Sequence, residues 1–479
     1  MGGGQWWRAS QRAAPRPKSL AILPFQTVGL NANEELLGLG MADALIIKLS
    51  GQQQLSVLPT SAVIKYTGQG REALSIGRSL GVESVLDGTI QRAGERVRVT
   101  LQILRVNDGQ TLWTGQFDEP FTGIFAVQDA VAARISQSLA LQLAHGGPTR
   151  QANTYTTNTE AYQAYLTGRF FYEKRGPEDL AQAINYLQQA VKLDPNFALG
   201  YATLADCYYL QTYYGYGRMP VSETSARVNE LAQQALQLDA NLAEAHIARA
   251  GVKISFEHNV PGAQAELQQA LALNPSSMLA HLRYAWTLYA QGRIAETVRE
   301  MRAAQELDPL SPTPNIALSS VLIMAREADE AVKYARQAVA IAPESYSAHL
   351  ALGDALVIKG QFEAGINEYL GVPGKAPNQE VSATIVMSLA YAYAVAKRPS
   401  EARRYLAQMH GLAKNDYPVP PYQFAIIYAA LGDHDTAFAW LEKIPESRVR
   451  PAMLRLDPQL DVLRDDPRFA ALLEKYKLP

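Results

Sequence analysis

Three of the seven histidines, His246, His281 and His349, each stand four residues before a small residue, Ala250, Ala285 or Gly353. Imidazoles recurring at one position could build a metal ladder. Zinc needs its ligands about 2 Å from one centre, whereas equivalent positions in stacked helix pairs lie on the order of 10 Å apart. Packing is the expected role, and no metal is assigned. The acidic pairs Asp465-Asp466 and Glu34-Glu35 open apolar-periodic segments, where a carboxylate suits the positive end of a helix. Cys207 is the single cysteine, which excludes an internal disulfide. It has no basic neighbour in sequence to lower its pKa, so a buried, inert thiol is expected.

The chain contains no Gly-x-x-x-x-Gly-Lys-Ser/Thr phosphate loop and no His-Glu-x-x-His helix. Gly38-Leu39-Gly40 lacks the third glycine and the flanking unit of a dinucleotide site and is expected as a turn before a helix. The reading is therefore non-enzymatic, with no catalytic, cofactor-binding or metal-binding residue. What remains is recognition chemistry. Tyr162, Tyr165, Arg169 and Tyr172 form a first group, Asp206, Tyr209 and Leu210 a second, Trp286 and Tyr289 a third, and Asp354 stands alone. Aromatic and arginine side chains are the usual anchors of protein interfaces. These ten residues are candidates for the lining of a partner-binding groove, against the plainer alternative of packing between repeats. Tyr213, Tyr214 and Tyr216 are candidates for its rim.

The elements that must position them are set by small residues. Gly168, Ala205, Ala250, Ala285, Ser319, Gly353, Ala390 and Ala425 recur at near-constant spacing. A second series follows at Ala183, Val228, Ala263, Thr297, Ala331, Gly365, Ala402 and Ala437, with steps of 45, 35, 34, 34, 34, 37 and 35. A third, Ala190, Ala235, Ala270, Ala304, Ala338, Val372, Met409 and Ile444, lies seven residues later each time. Helix stops then appear at Asp194-Pro195, Asn274-Pro275, Asp308-Pro309 and Ala342-Pro343, with Pro377 on the same beat. A period of 34 with this pattern is the tetratricopeptide (TPR) signature, two antiparallel helices A and B per unit. A lone pair cannot bury its apolar stripe, so the units stack, and small residues let the crossing backbones approach. The 45-residue step marks an insertion at Gln211–Val221, QTYYGYGRMPV. The ending DPRFAALLEKYKLP is expected to cap the stack.

At 479 residues, 48% hydrophobic and a formal net charge of −2, the chain should hold at least two domains, and bulk charge favours neither nucleic acid nor an anionic membrane. Its longest uncharged helical run, 381–396, is too short to span a bilayer and lies in repeat register. Residues 1–17, MGGGQWWRASQRAAPRP, lack the apolar core of a signal peptide. Two readings stay open: a disordered leader or fusion scar, or the interfacial remnant of a membrane helix, where Trp and Arg are favoured.

Residues 18–145 carry no 34-residue beat. SLAILPF (19–25) and LSVLPT (55–60) read as short buried strands, and 35–50 and 72–80 as helices, the second closed by Gly81. The period then switches to two. Turn signals at Ala93-Gly94 and Asn107-Asp108-Gly109 predict three antiparallel strands, the middle one alternating Val97, Val99, Leu101 and Ile103 with polar residues. A helix is predicted over 121–143 and a linker over 146–159. The fold class is thus an α+β N-terminal domain (18–145) followed by an all-α superhelical solenoid of about eight helix pairs (160–460) and a capping helix (461–479).

The stretch KSLAILPF…GLGMADALIIKLS…LGVESVLDGTIQRAGERVRVTLQILRVNDGQTLWTGQFDE…IFAVQDAVAARI resembles the TolB-amino-terminal-like domain of bacterial regulators. AYQAYLTGRFFYEKRGPEDLAQAINYLQQAVKLDPNFALGYATLADCYYL and the ending LDPQLDVLRDDPRF are similar to the TPR block attached to it. The resemblance spans roughly residues 18–479. In such proteins this region follows a CadC-type winged helix, a kinase or a nucleotide cyclase, often after one membrane helix. It implies a sensory or scaffolding half that binds a protein or peptide segment rather than nucleic acid. It further implies an anchor upstream and a periplasmic location, with the cytoplasm as alternative; self-association stays open. The competing expectation is small-molecule sensing by the N-terminal domain, with the repeats as spacer or oligomerisation surface.

Overall fold

A computed structural model describes residues 19–28, 36–49, 55–58, 60–67, 72–93, 96–120, 156–217, 219–309, 311–372, 379–414, 419–444 and 451–476. The expected leader, the helix over 121–143, most of the 146–159 linker and Glu34-Glu35 lie outside them. The chain divides into two units, Met1–Thr159 and Glu160–Pro479.

The first unit is built on one sheet. Its elements are β1 (Ser19–Ile22), β2 (Gln26–Val28), α1 (Leu36–Leu49), β3 (Ser56–Val57), α2 (Thr60–Val63), α3 (Ala73–Ser79), β4 (Ser84–Ala93), β5 (Arg96–Arg105) and β6 (Thr111–Pro120). The strand order is β3-β1-β4-β5-β6, with β2 also pairing β4. The expected antiparallel trio is β4-β5-β6, with Ser84 opposite Arg105 and Ala93 opposite Arg96. Val97, Val99, Leu101 and Ile103 are buried and their neighbours Arg98 and Thr100 exposed, the alternation of a sheet wet on one face. β1 pairs in parallel with both β3 and β4, which explains its uninterrupted apolar run. Gly81 and Gly109 close α3 and the β5–β6 turn at φ +64° and +71°. Gly38 and Gly40 correct the sequence expectation: they lie inside α1, not in a turn before it. A Cβ on Gly38 would stand 1.9 Å from the Phe25 carbonyl oxygen, so glycine is needed for the helix to approach the strand.

The described residues of the second unit form eight helix hairpins in which even-numbered helices are A and odd-numbered are B. They are α4 (Thr159–Lys174) and α5 (Pro177–Leu193), α6 (Ala198–Tyr213) and α7 (Val221–Leu238), α8 (Ala243–Ser255) and α9 (Val260–Leu273), and α10 (Met278–Ala290) and α11 (Ile294–Leu307). Then come α12 (Pro312–Met324) and α13 (Ala328–Ile341), α14 (Tyr346–Ile358) and α15 (Phe362–Leu370), α16 (Gln379–Val395) and α17 (Pro399–Lys414), and α18 (Pro421–Ala430) and α19 (His434–Leu441). A cap of α20 (Pro451–Leu456), a 3-10 turn (Pro458–Leu463) and α21 (Pro467–Lys475) follows.

All three small-residue series are buried where A and B cross. A Cβ on Gly353 would sit 2.3 Å from the Tyr369 ring, and one on Gly168 2.7 Å from Leu187 Cγ. Asp194, Asn274, Asp308 and Ala342 are C-caps, so the Asx-Pro and Ala-Pro pairs end helices as read. Asp466 caps α21, its carboxylate accepting from the Arg468 backbone N–H at 3.0 Å.

Every A–B turn carries a left-handed residue. In hairpins 2, 4, 6 and 8 it is Gly215, Gly292, Gly360 and Gly432; in hairpins 1, 3, 5 and 7 it is Arg175, His258, Arg326 and Lys397. A basic side chain there suits the negative end of helix A, although the backbone conformation favours glycine.

Candidate functional site: the inner face of the helix stack

The inner face is identified by contacts between residues far apart in sequence. Tyr216, in the inserted loop of hairpin 2, places its hydroxyl 3.3 Å from that of Tyr346 at the start of α14. Arg326, in the turn after α12, makes a two-pronged ion pair with Asp461 of the cap, one arm at 2.7 Å. Asp461 also accepts from Arg464 at 2.7 Å, and α20 lies against α10. Each contact uses an A helix, its first residue or the turn that ends it. The A side is therefore concave, and the stack curls until hairpin 2 meets hairpin 6 and hairpin 5 meets the cap.

The structure divides the ten groove candidates. Tyr162, Tyr165, Tyr172, Asp206, Tyr209, Leu210 and Tyr289 are buried, held in packing between helices. Tyr165 sits edge-on to Phe197 at 5.0 Å and stacks with Tyr162 at 6.2 Å; Tyr209 packs on Phe256 at 5.6 Å. Register alone left these seven open between groove lining and packing between repeats; their burial is that of packing. A helix A in a curled stack meets the next A helix over most of that face, so their side chains are consumed there. Arg169 and Trp286 are half-buried and Asp354 is exposed, and Trp286 stands edge-on to Tyr289 at 5.7 Å. Of the rim residues, Tyr213 is exposed and Tyr214 and Tyr216 half-buried. They form a continuous aromatic run, with Tyr213–Tyr214 at 5.4 Å and Tyr214–Tyr216 at 5.6 Å.

Asp206 is spent internally. It accepts from the Tyr172 hydroxyl at 2.7 Å and from the Arg283 guanidinium of α10, two hairpins away. Arg283 also donates to the Ile247 carbonyl at 2.6 Å and lies 4.4 Å above the Tyr209 ring. It passes α8 at Gly251, where a Cβ would stand 3.1 Å from its Nη1. Both charges are 5% exposed, so this pair clamps the A helices of hairpins 2, 3 and 4. Arg283 was not among the candidates from sequence. The signal for it was Gly251, a glycine in the register position held by Asp206, Trp286 and Asp354 in other units.

A second set of acids lines the far half. Tyr369 donates to Asp354 at 2.6 Å, and Tyr422 donates to buried Asp457 at 2.6 Å. Asp354 keeps solvent-exposed surface, with its carboxyl enclosed on the side of buried Tyr369. That enclosure raises its carboxyl to about 6, with the nearby Asp457 adding to the rise and the Tyr369 hydrogen bond opposing it. Burial pushes Asp457 up as well.

The histidines are spent within their own hairpins. His246, His281 and His349 each bond a helix-B glutamate, Glu266, Glu300 and Glu368, at 2.7, 2.8 and 2.6 Å. His281 and His349 also meet the carbonyls of Pro275 and Pro343 at 2.9 Å. The buried Cys207 thiol is pushed well up by burial and by Asp206, the opposite of an activated nucleophile.

Comparison with known proteins agrees with this architecture. Residues 16–134 match the family described as HilA/YgeH-like transcriptional regulator, second domain, and residues 178–197, 257–312 and 317–380 match tetratricopeptide repeats. A provisionally named adenylate cyclase 3 of Rhizobium meliloti (strain 1021) is 28% identical over 191 residues, covering 40% of this chain and 32% of that protein. The transcriptional regulator HilA of Salmonella paratyphi A is 25% identical over 304 residues, covering 61% of this chain and 52% of that protein. The chain thus spans only about a third to a half of these relatives. A solved structure of Pseudomonas aeruginosa PilF is 21% identical with a TM-score of 0.36, covering 45% of this chain and 91% of that one.

Proposed function

We propose that this chain is the non-catalytic, partner-binding region of a bacterial regulatory protein, and that its repeats hold a protein or peptide segment on the inner face. The observation that carries the reading is the combination on that face of a fixed backbone and aromatic and acidic groups that keep accessible surface. The buried Arg283–Asp206 clamp holds three hairpins in place, while Trp286, Asp354 and the Tyr213–Tyr216 run keep accessible surface. Rigid aromatic anchors on a preorganised scaffold lose little entropy on binding. The regulator-like match of residues 16–134 supports a regulatory setting, and the TolB-like resemblance of the same stretch fits a relay between the repeats and an output domain. Location stays part of the proposal: among the described residues no helix is long and apolar enough to cross a membrane, and the resemblance favours the periplasm.

The test is site-specific photo-cross-linking in the native host. A cross-linking side chain at Trp286 should trap a discrete partner, whereas one at Arg299, on α11 with its side chain 67% exposed, should not. Equal adducts at the two positions, or adducts at Arg299 alone, would reject the inner-face reading.

A further inference from the structure

Arg175 occupies a backbone position that costs an arginine. Its φ is +56°, and the equivalent turns of hairpins 2, 4, 6 and 8 use glycine. Side chains kept in this conformation have a reason in the surrounding structure, and hairpin 5 shows one. There the equivalent residue, Arg326 at φ +67°, grips the Asp461 carboxylate with two N–H groups. The A–B turn of this solenoid is thus a place from which an arginine reaches a carboxylate delivered from elsewhere.

Arg175 has the same placement without the carboxylate. Nearby Arg283 is paired with Asp206, and Arg169 lies 3.9 Å from Glu173. Among the described residues no acidic group forms an ion pair with Arg175, although the charge of Glu173, two residues before it, acts on the guanidinium. Its guanidinium is instead framed by tyrosines. It donates to the Tyr172 hydroxyl at a long 3.4 Å and lies 5.1 Å from that ring's centre, with Tyr214 also acting on its charge. Tyr214 continues into Tyr216, which reaches Tyr346. A guanidinium offers five N–H donors in a planar fork, and two phenolic oxygens leave part of that fork open. Phenol rings beside it exclude water and strengthen a charge-assisted bond.

We propose that the Arg175–Tyr172–Tyr214 nook is a binding subsite for a carboxylate side chain, so that the partner held by the repeats presents an acidic segment to hairpin 1. This deepens the partner-binding reading above and rests on it. The occupant is an acidic peptide rather than a phosphate: the only anion this turn position is seen to take is the carboxylate of Asp461.

The experiment uses the whole chain, fluorescein-labelled hexaglutamate as probe and fluorescence anisotropy as readout. Arg175→Gly removes the guanidinium and relaxes the backbone to the residue used at the equivalent turns, so the variant should unfold no earlier than the parent. Its hexaglutamate affinity should fall by about tenfold. Lys397→Gly, at φ +60° in hairpin 7, should leave affinity within about twofold. Parent-like binding by Arg175→Gly, no binding by the parent, or displacement of the probe by an equal concentration of inorganic phosphate would each overturn the proposal. A Trp286 cross-link that forms although hexaglutamate does not bind would leave the scaffold reading intact and sink only the acidic partner. Hexaglutamate binding with no Trp286 adduct would do the reverse.

Discussion

Asp206 and Arg283 show how a residue's type misleads until its partners are known. Each alone is a charge suited to a partner; together, both 5% exposed, they are structure. Removing one partner of such a pair leaves the other charge buried and uncompensated. Arg283→Ala should therefore destabilise the protein by about 3–5 kcal/mol in denaturant unfolding, and Asp206→Leu/Arg283→Met should recover most of that loss. Asp354 gives a prediction of opposite kind. Folded, its carboxyl keeps a proton up to about 6 because of its enclosure, against about 3.9 in an unfolded chain. The folded state then binds more protons between these values, so stability falls as pH rises through that window. Buried Asp457 shifts the same way. Hydrogen bonds from Arg468 hold Asp466 down at about 2, which lowers stability only at more acidic pH. Melting temperature should accordingly drop between about pH 4 and 6, and Asp354→Asn should flatten the drop.

At the scale of helices, the crossing points carry the fold. Gly353 faces the Tyr369 ring, and a methyl there would lie 2.3 Å from it. Tyr369 is itself buried and tied to Asp354, so it cannot swing away cheaply. Gly353→Ala should cost about 1–3 kcal/mol, although alanine is the better helix former, and thermal unfolding would read it. The helix ends, the crossing residues and the insertion were legible from small residues and prolines, because these depend on local sterics. The parallel β3-β1-β4 core was not, since an apolar run of seven residues does not say which strands flank it. Gly38 shows the same limit: its reason is the Phe25 carbonyl, which only packing brings near.

Among the described residues of the second unit, Tyr216–Tyr346 joins hairpin 2 to hairpin 6 and Arg326–Asp461 joins hairpin 5 to the cap. The ion pair is nearly half exposed on both sides, and exposed pairs contribute about 0–1 kcal/mol. A double-mutant cycle on Arg326→Asp and Asp461→Arg should give a coupling in that range by denaturant unfolding. The cap is held to hairpins 6 to 8 by the continuous core of Leu454, Leu460, Leu463, Phe424 and Tyr369, with the pair as a latch upon it. A coupling above about 2 kcal/mol would make the latch a principal determinant of the curl.

The sequence by itself determined the repeat, its hairpin boundaries and the sheet's antiparallel half, because each follows from periodicity or from short turn motifs. Which side chains face the groove was decided only by tertiary structure. A register position names a direction from the helix axis, but the curvature of the stack decides whether water or the next helix lies in that direction. Tyr165 and Asp354 are both helix-A residues proposed from register; one is 2% exposed and the other open to solvent.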